Sequence, residues 1–220
     1  MGDTTVVSNK WMLGTRNSFI IGISATFLAT ALGTVAALGL SRRNMPFKGT
    51  IMAILISPMI VPLIITSAGM FFFYSKIGLT HTYLGLILAH TALGTPFVVI
   101  TVTATLTGFD TNLIRASQSL GADTMRTFFK VIMPLILPGV ISGALFAFIT
   151  SFDEVVVVMF VGSVEQITIP KQMWAGLRQE TSPVILCMAT CLVALSIALL
   201  TTVELLRRRS ERLRGIKLRN

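Results

Sequence analysis

The stretch that decides the fold runs from Asp110 to Pro138 and reads DTNLIRASQSLGADTMRTFFKVIMPLILP. It is polar and periodic, and it lies between long apolar runs. Gly121 divides it at a place where a helix commonly ends in the left-handed conformation. Before this glycine, Asp110 or Thr111 is a candidate N-cap of a first short helix. One face of that helix carries apolar or small residues at helical spacing: Leu113, Ile114, Ser117 and Leu120.

A second short helix is predicted after the glycine, with Asp123 as its N-cap. Pro134 and Pro138 are expected to close this helix and to begin the next apolar run. A helix–glycine–helix with polar tips, tethered to membrane spans on both sides, is typical of a docking element rather than a catalytic one. The apolar face of the second helix follows the i, i+3, i+4, i+7 rule: Met125, Phe128, Phe129 and Ile132.

The composition predicts an integral membrane protein. Of 220 residues, 53% are hydrophobic and only 12% are charged, with a mean hydropathy of +0.81. A soluble domain carries about 25% charged residues, so an ordinary soluble domain is excluded. Seven of the 18 basic residues lie in the tail 207–220. Read alone, this tail would suit nucleic acid, but beside a membrane span it is typical of a cytoplasmic anchor, and no nucleic-acid partner is expected.

Hydropathy predicts an all-α fold with five transmembrane helices in a single domain of residues 1–220. Small residues along the first span, from Gly22 to Ala37, should let a neighbouring helix approach closely. Pro58 and Pro62 are expected to bend the second span. Residues 1–17 are predicted to be a polar lead-in, and 162–183 the longest outer loop. The predicted spans are about 18–40, 51–74, 83–106, 134–154 and 183–206.

The basic residues predict the orientation. Thirteen lie in the segments 41–50, 108–130 and 207–219, and five lie on the alternate side. The positive-inside rule therefore puts the predicted docking element, within 108–130, and the C-terminus in the cytoplasm and the N-terminus outside.

Asp153 and Glu154 are the most informative charges, because they lie about 22 Å of helix beyond Pro138 with apolar residues on both sides. An ionisable residue at that depth should face a cavity, a partner or water. One interpretation is an electronegative patch on a translocation path for a cationic solute. The other is that the helix ends here and both residues lie at a wet rim.

His90 and Trp174 are weaker candidates for the same path. A lone histidine inside a span more often binds a neighbouring helix than a ligand, and a tryptophan in an outer loop is by default an interfacial residue.

Several catalytic motifs are missing from the sequence. It contains no G-x-x-x-x-G-K-[ST], so we expect no ATP site of its own and no bound cofactor. It also lacks H-E-x-x-H, G-x-S-x-G and any His/Cys cluster of metal-ligand spacing, so neither catalytic nor metal-binding residues are expected.

The segment SLGADTMRTFFKVIMPLILPG resembles the cytoplasmic loop signature of binding-protein-dependent ABC transporter permeases. The signature has a glutamate–alanine–alanine triplet, a glycine and an Ile-x-Leu-Pro. Gly121 matches the glycine, and Val131 to Pro134 match the Ile-x-Leu-Pro with the same spacing. Arg115, Ala116 and Ser117 stand at the triplet, with Arg115 in the place of the glutamate. The resemblance covers about 14–206 and is closest to the polyamine-type permeases.

The resemblance implies a five-helix core and a coupling helix that sits in a groove of an ATPase subunit. It implies a second permease, two cytoplasmic ATPases that bind the ATP, a solute-binding protein outside, and a bacterial inner membrane. It also favours a polyamine as the solute, since such permeases carry acidic residues in the stretch matching Ser151 to Glu154. The residues implied for ATPase coupling, within a loop of 110–130 and its closing proline, are Arg115, Ala116, Ser117, Leu120, Gly121, Ala122, Asp123 and Pro134.

Other interpretations stay open at this point. Similar permeases carry opines, other amino-acid-derived cations or ferric iron. An integral membrane enzyme would use Asp153, Glu154 and His90 as acid–base groups, although their spacing matches no known chemistry. A secondary transporter would carry an inverted repeat, and the sequence shows none.

Overall fold

The computed structural model describes residues 4–42, 44–108, 110, 112–179 and 183–213. Every regular element in these ranges is helical, as the composition predicts. Thr111, one of the two proposed N-caps, and the tail beyond residue 213 lie outside the described residues. The elements are α1 (Thr4–Leu40), α2 (Lys48–Ile60), α3 (Leu63–Ile77), α4 (Tyr83–Thr107), α5 (Asn112–Ser119), α6 (Thr124–Thr127), a π turn (Phe128–Ile132), α7 (Met133–Phe152), α8 (Val156–Val161), α9 (Ile169–Gln179) and α10 (Pro183–Leu213).

Within the described residues, four helical stretches are long and apolar enough to cross a membrane. A fifth span results when α2 and α3 are counted together. The all-α membrane fold is confirmed, and the five-span prediction depends on this bent pair. The four stretches are Asn9–Leu40, Tyr83–Thr107, Thr124–Phe152 and Pro183–Thr202.

The core is the packing of α1, α4 and α7 against one another. Small residues bring these helices together, as the first span predicts. A Cβ added at Gly33 of α1 would lie 2.7 Å from Val98 Cβ of α4. One added at Gly94 of α4 would lie 3.0 Å from Ala147 Cβ of α7. Because lipid offers apolar side chains as good an environment as protein does, such close van der Waals contact is a main source of helix association.

The second span is broken rather than gently bent. The helical axis bends by 103° between α2 and α3, across Val61 and Pro62. Val61 is extended, with φ −70° and ψ 136°, which is the conformation that a following proline imposes. Pro58, in contrast, is accommodated inside α2.

Two segments predicted to lie outside the membrane spans are helical. The lead-in 1–17 was expected to lie outside the first span, but α1 already begins at Thr4. Gly14 packs on the backbone of Thr168 and Ile169, so tertiary contact extends this helix. The outer loop 162–183 contains the amphipathic helix α9, in which Gly176 packs against Ile185 of α10.

The second docking helix does not end at Pro134, which corrects the prediction. One helical stretch continues from Thr124 to Phe152. Through the π turn the hydrogen bonds shift by one residue, and Met133 N–H donates to Phe128 O. A proline has no N–H, and its ring would collide with a carbonyl of a regular helix. The widened turn directly before Pro134 provides room for that ring.

The variant Gly143→Ala tests the close packing of α4 and α7. An added Cβ would lie 2.8 Å from Val98 Cα and would also collide with Thr101 Oγ1. Because a backbone atom has to move, we expect a destabilisation of about 1–3 kcal/mol. The control is Gly69→Ala in α3, where a Cβ meets nothing within 4 Å and helix propensity favours alanine by up to about 1 kcal/mol. The measurement is the thermal midpoint in detergent, and equal shifts for both variants would contradict this packing.

Candidate functional site

The docking segment, residues 112–127 between α4 and the π turn, has a backbone geometry that explains its sequence. α5 ends in paired hydrogen bonds: Gly121 N–H donates to Gln118 O at 2.9 Å and Ala122 N–H to Ser117 O at 3.0 Å. This arrangement requires a left-handed residue at its centre, and Gly121 has φ +80°. The glycine therefore sets the angle between α5 and α6, as the sequence predicts.

Side-chain hydrogen bonds hold the two halves of the docking segment together. Asp123 caps α6, and its Oδ1 accepts from Arg126 N–H at 2.6 Å. The hydroxyls of Ser117 and Thr127 lie 2.8 Å apart, and Thr127 is only 3% exposed. Asp110 Oδ1 accepts from Asn112 N–H at 2.9 Å, so the Asp110 side chain caps the N-terminus of α5. The two halves of the docking segment are therefore joined by the Ser117–Thr127 hydrogen bond as well as by the turn at Gly121.

The outward side of the docking segment is exposed. Arg115 and Ala116 are exposed on the side of α5 opposite Ser117. Leu120 is 89% exposed, although the periodicity groups it with the partly buried Ile114. Pro134 is also exposed, whereas Ala122 is partly buried.

Asp153 and Glu154 have different environments. α7 ends at Phe152, and Asp153 is exposed beyond it. Glu154 is 8% exposed, and its Oε1 accepts from Val156 N–H at 2.6 Å and from Val157 N–H at 2.9 Å. Glu154 therefore caps the short helix α8, a role that the sequence did not indicate. The carboxylate of Asp153, in contrast, is exposed.

His90 lies close to the same break. Its side chain is 1% exposed, and its Nδ1 lies 2.8 Å from Ser151 Oγ. This hydrogen bond joins α4 to the last turn of α7, two residues before Asp153. Among the described residues its Nε2 has no hydrogen-bond partner.

A polar cluster at the start of α4 was missed by the sequence analysis. Asn17 is fully buried, and its Nδ2 donates to the carbonyls of Glu165 at 2.8 Å and Ile167 at 2.9 Å. Its Oδ1 accepts from Tyr83 O–H at 2.9 Å. Nothing in the sequence marks Asn17, since its partners are backbone groups about 150 residues away.

Lys171 and Trp174 lie on α9, on the same side of the molecule as the Asn17 cluster. Lys171 Nζ donates to Val158 O at 3.1 Å and to Ser163 O at 3.2 Å, and burial lowers the pKa of this ammonium group. Lys171 thus bonds to one carbonyl within α8 and to another just beyond this helix, whose beginning is capped by Glu154. Trp174 is 45% exposed on a helix that packs against α1 and α10. The structure therefore brings His90, Asp153 and Glu154 to one region and places Trp174 on a separate element.

With this geometry in place, the family can be assigned. The model of a family described as "Binding-protein-dependent transport system inner membrane component" matches residues 29–212. The match includes the docking segment, α4 and the whole of α7. The chain belongs to this family. The expectation drawn from the signature around Gly121 is thereby confirmed.

Individual relatives of this transport component agree. This chain is 31% identical over 194 residues to the spermidine/putrescine transport system permease protein PotC of Haemophilus influenzae, and the match covers 88% of this chain and 76% of that protein. It is 29% identical over 186 residues to the putrescine transport system permease protein PotI of Escherichia coli, covering 80% and 65%. Among solved structures, an inward-facing MetNI methionine ABC transporter matches with a TM-score of 0.67 and 21% identity over 99% of this chain and 100% of that one. This last likeness shows a shared fold.

The variant Glu154→Ala tests the cap on α8. It would leave the amides of Val156 and Val157 without their acceptor, which we expect to cost about 0.5–2 kcal/mol of stability. Asp153→Ala is the control, because it removes a neighbouring carboxylate that is exposed. Thermal midpoints in detergent would distinguish the two variants. A larger loss for the Asp153 variant would contradict the assignment of the cap.

Proposed function

We propose that this chain is the permease subunit of an ATP-driven importer that carries a polyamine, putrescine or spermidine, across the bacterial inner membrane. The observation that supports this most directly is the 31% identity with the spermidine/putrescine permease over 88% of the chain. The exposed carboxylate of Asp153 at the end of α7 suits a polyammonium solute, because an accessible negative charge attracts a passing cation.

The docking segment supports the proposed cytoplasmic partners. The sequence has no P-loop, so the free energy for transport has to come from ATP bound by other subunits. A rigid helix with an exposed outward side suits a groove of an ATPase subunit. We therefore propose two ATPase subunits, a second permease subunit and an extracytoplasmic solute-binding protein as the partners, and Arg115 to Asp123 with Pro134 as the coupling region.

The proposed orientation follows from the basic residues and from the direction of α4. This helix begins beside the cluster of Asn17 and Tyr83 and ends at the docking segment. The docking segment and the C-terminus would therefore lie in the cytoplasm, and the Asn17 cluster and the N-terminus on the outer side.

In the proposed mechanism, closure of the ATPases moves the docking segment, and α7 follows because the helix is continuous from Thr124 to Phe152. Asp153 lies at the far end of this helix, where the proposed path would accept a cation. Glu154 holds α8 in place beside it, and His90 fixes the end of α7 against α4. Trp174 is proposed to line the outer part of the path from α9.

The proposed function is tested by uptake in the host bacterium. We expect deletion of the gene to abolish high-affinity uptake of radiolabelled putrescine or spermidine, and a plasmid copy to restore it. An opine and ferric iron are measured alongside, since similar permeases carry them. Unchanged polyamine uptake, with loss of one of the other two, would replace the polyamine by that solute.

A second variant tests the coupling role of the docking segment. Gly121→Val places a β-branched residue at φ +80°, which costs about 1–3 kcal/mol and should distort the turn. We expect assembled complexes in vesicles to lose most of their solute-dependent ATP hydrolysis while the membrane spans still insert. Gly108→Val is the control, since Gly108 has φ −90° and an added Cβ there meets nothing within 4 Å. Full coupling in the Gly121 variant would contradict the role of this turn.

A further inference from the structure

The outward face of α5, defined as Asn112, Arg115, Ala116 and Ser119, carries one charge. These positions recur at i, i+3, i+4 and i+7, so they share one side of the helix. All of them are exposed. The opposite side is fixed, since Ser117 bonds to Thr127. Whatever covers the outward face of α5 therefore meets small polar or apolar groups and the guanidinium of Arg115.

Nothing in the described part of the chain neutralises that guanidinium. Asp110 and Asp123 are its acidic neighbours in sequence, and both use a carboxylate oxygen to cap a backbone amide. Arg115 forms neither an ion pair nor a side-chain hydrogen bond with the residues that the structure describes. The other exposed charged side chains nearby, Arg126 and Lys130, are also positive. The docking segment thus presents excess positive charge, with Arg115 on its outward face.

Docking of this face would remove water from the guanidinium. A desolvated charge without an opposite charge is strongly unfavourable, whereas a carboxylate can accept two parallel N–H bonds from arginine. A covering surface that matched the rest of the helix but offered no acid at this point would therefore bind poorly. Charge complementarity consequently favours an acidic group in the groove that receives α5.

We propose that Arg115 pairs with an aspartate or glutamate in the groove of the cognate ATPase subunit, and that this pair selects the ATPase with which the permease assembles. This inference rests on the proposed function, because it takes the ATPase to be the occupant of this face. It adds the sign of the charge that the groove must carry and the residue that recognises it.

The experiment measures binding of the ATPase subunit that copurifies with the wild-type chain, using permease complexes in nanodiscs. We expect Arg115→Glu to weaken binding at least 100-fold, because it places two carboxylates together. Arg115→Ala should weaken binding about 10-fold or more, and Arg115→Lys less than Arg115→Ala, since a point charge is kept. Arg126→Glu is the matched control, because it changes the net charge equally from a neighbouring exposed position outside the outward face.

Charge reversal in the partner gives the decisive arm. An Arg115→Cys variant is crosslinked to the ATPase to locate the facing acid. Replacing that acid by lysine should restore binding to the Arg115→Glu permease. Equal losses for Arg115→Glu and Arg126→Glu would overturn the inference. So would an effect that disappears when anionic lipids are left out, since Arg115 would then serve the membrane surface. Failure of the wild-type chain to bind any ATPase would overturn the proposed function itself, whereas normal wild-type binding with an unaffected Arg115→Glu would overturn this inference alone.

Discussion

The structure depends on how closely α1, α4 and α7 approach one another. A bilayer gives apolar side chains little reason to leave lipid for protein, so helices associate where their backbones can come near. Gly33, Gly94 and Gly143 provide that proximity, because an added Cβ at any of them would lie 3.0 Å or less from an atom of a neighbouring helix. The remaining elements depend on this three-helix core: α5 and α6 extend from one end of it, and the Asn17 cluster, α8 and α9 cover the other.

The charged and polar residues around α8 show how a membrane protein accommodates a short helix that follows the end of α7. α8 is a short run of apolar residues whose terminal amides and carbonyls cannot all bond within so short a helix. Glu154 accepts from the amides at its start, and Lys171 donates to one carbonyl within the helix and to one beyond its end. In a setting where unsatisfied backbone groups are costly, these hydrogen bonds stabilise the short helix next to Asp153.

The sequence predicted the features that depend on local signals. Gly121 indicated the left-handed turn, Asp123 indicated the cap, and hydropathy located α4 to within one residue at its end. It failed where a distant contact decides the outcome. The sequence places Asn17 in a polar lead-in, because it gives no sign of the backbone partners near residue 166. It predicts a loop at α9, because it does not show that α10 packs against this helix. Pro134 misled for a different reason: a π turn accommodates it, and the helix continues where a proline usually ends one.

The continuity of that helix has a mechanical consequence. From Thr124 to Phe152 the chain forms a rod of 29 residues, about 44 Å long, with no loop to absorb displacement between its ends. Its stiffness is not uniform, because the π turn has fewer regular bonds than the α-helix on either side. Bending and twisting should therefore concentrate at Phe128 to Ile132, next to the docking segment, while the segment across the core rotates as a unit. A small angular change at that compliant base becomes a larger sideways travel at the far tip, where His90 and Ser151 join the rod to its neighbour.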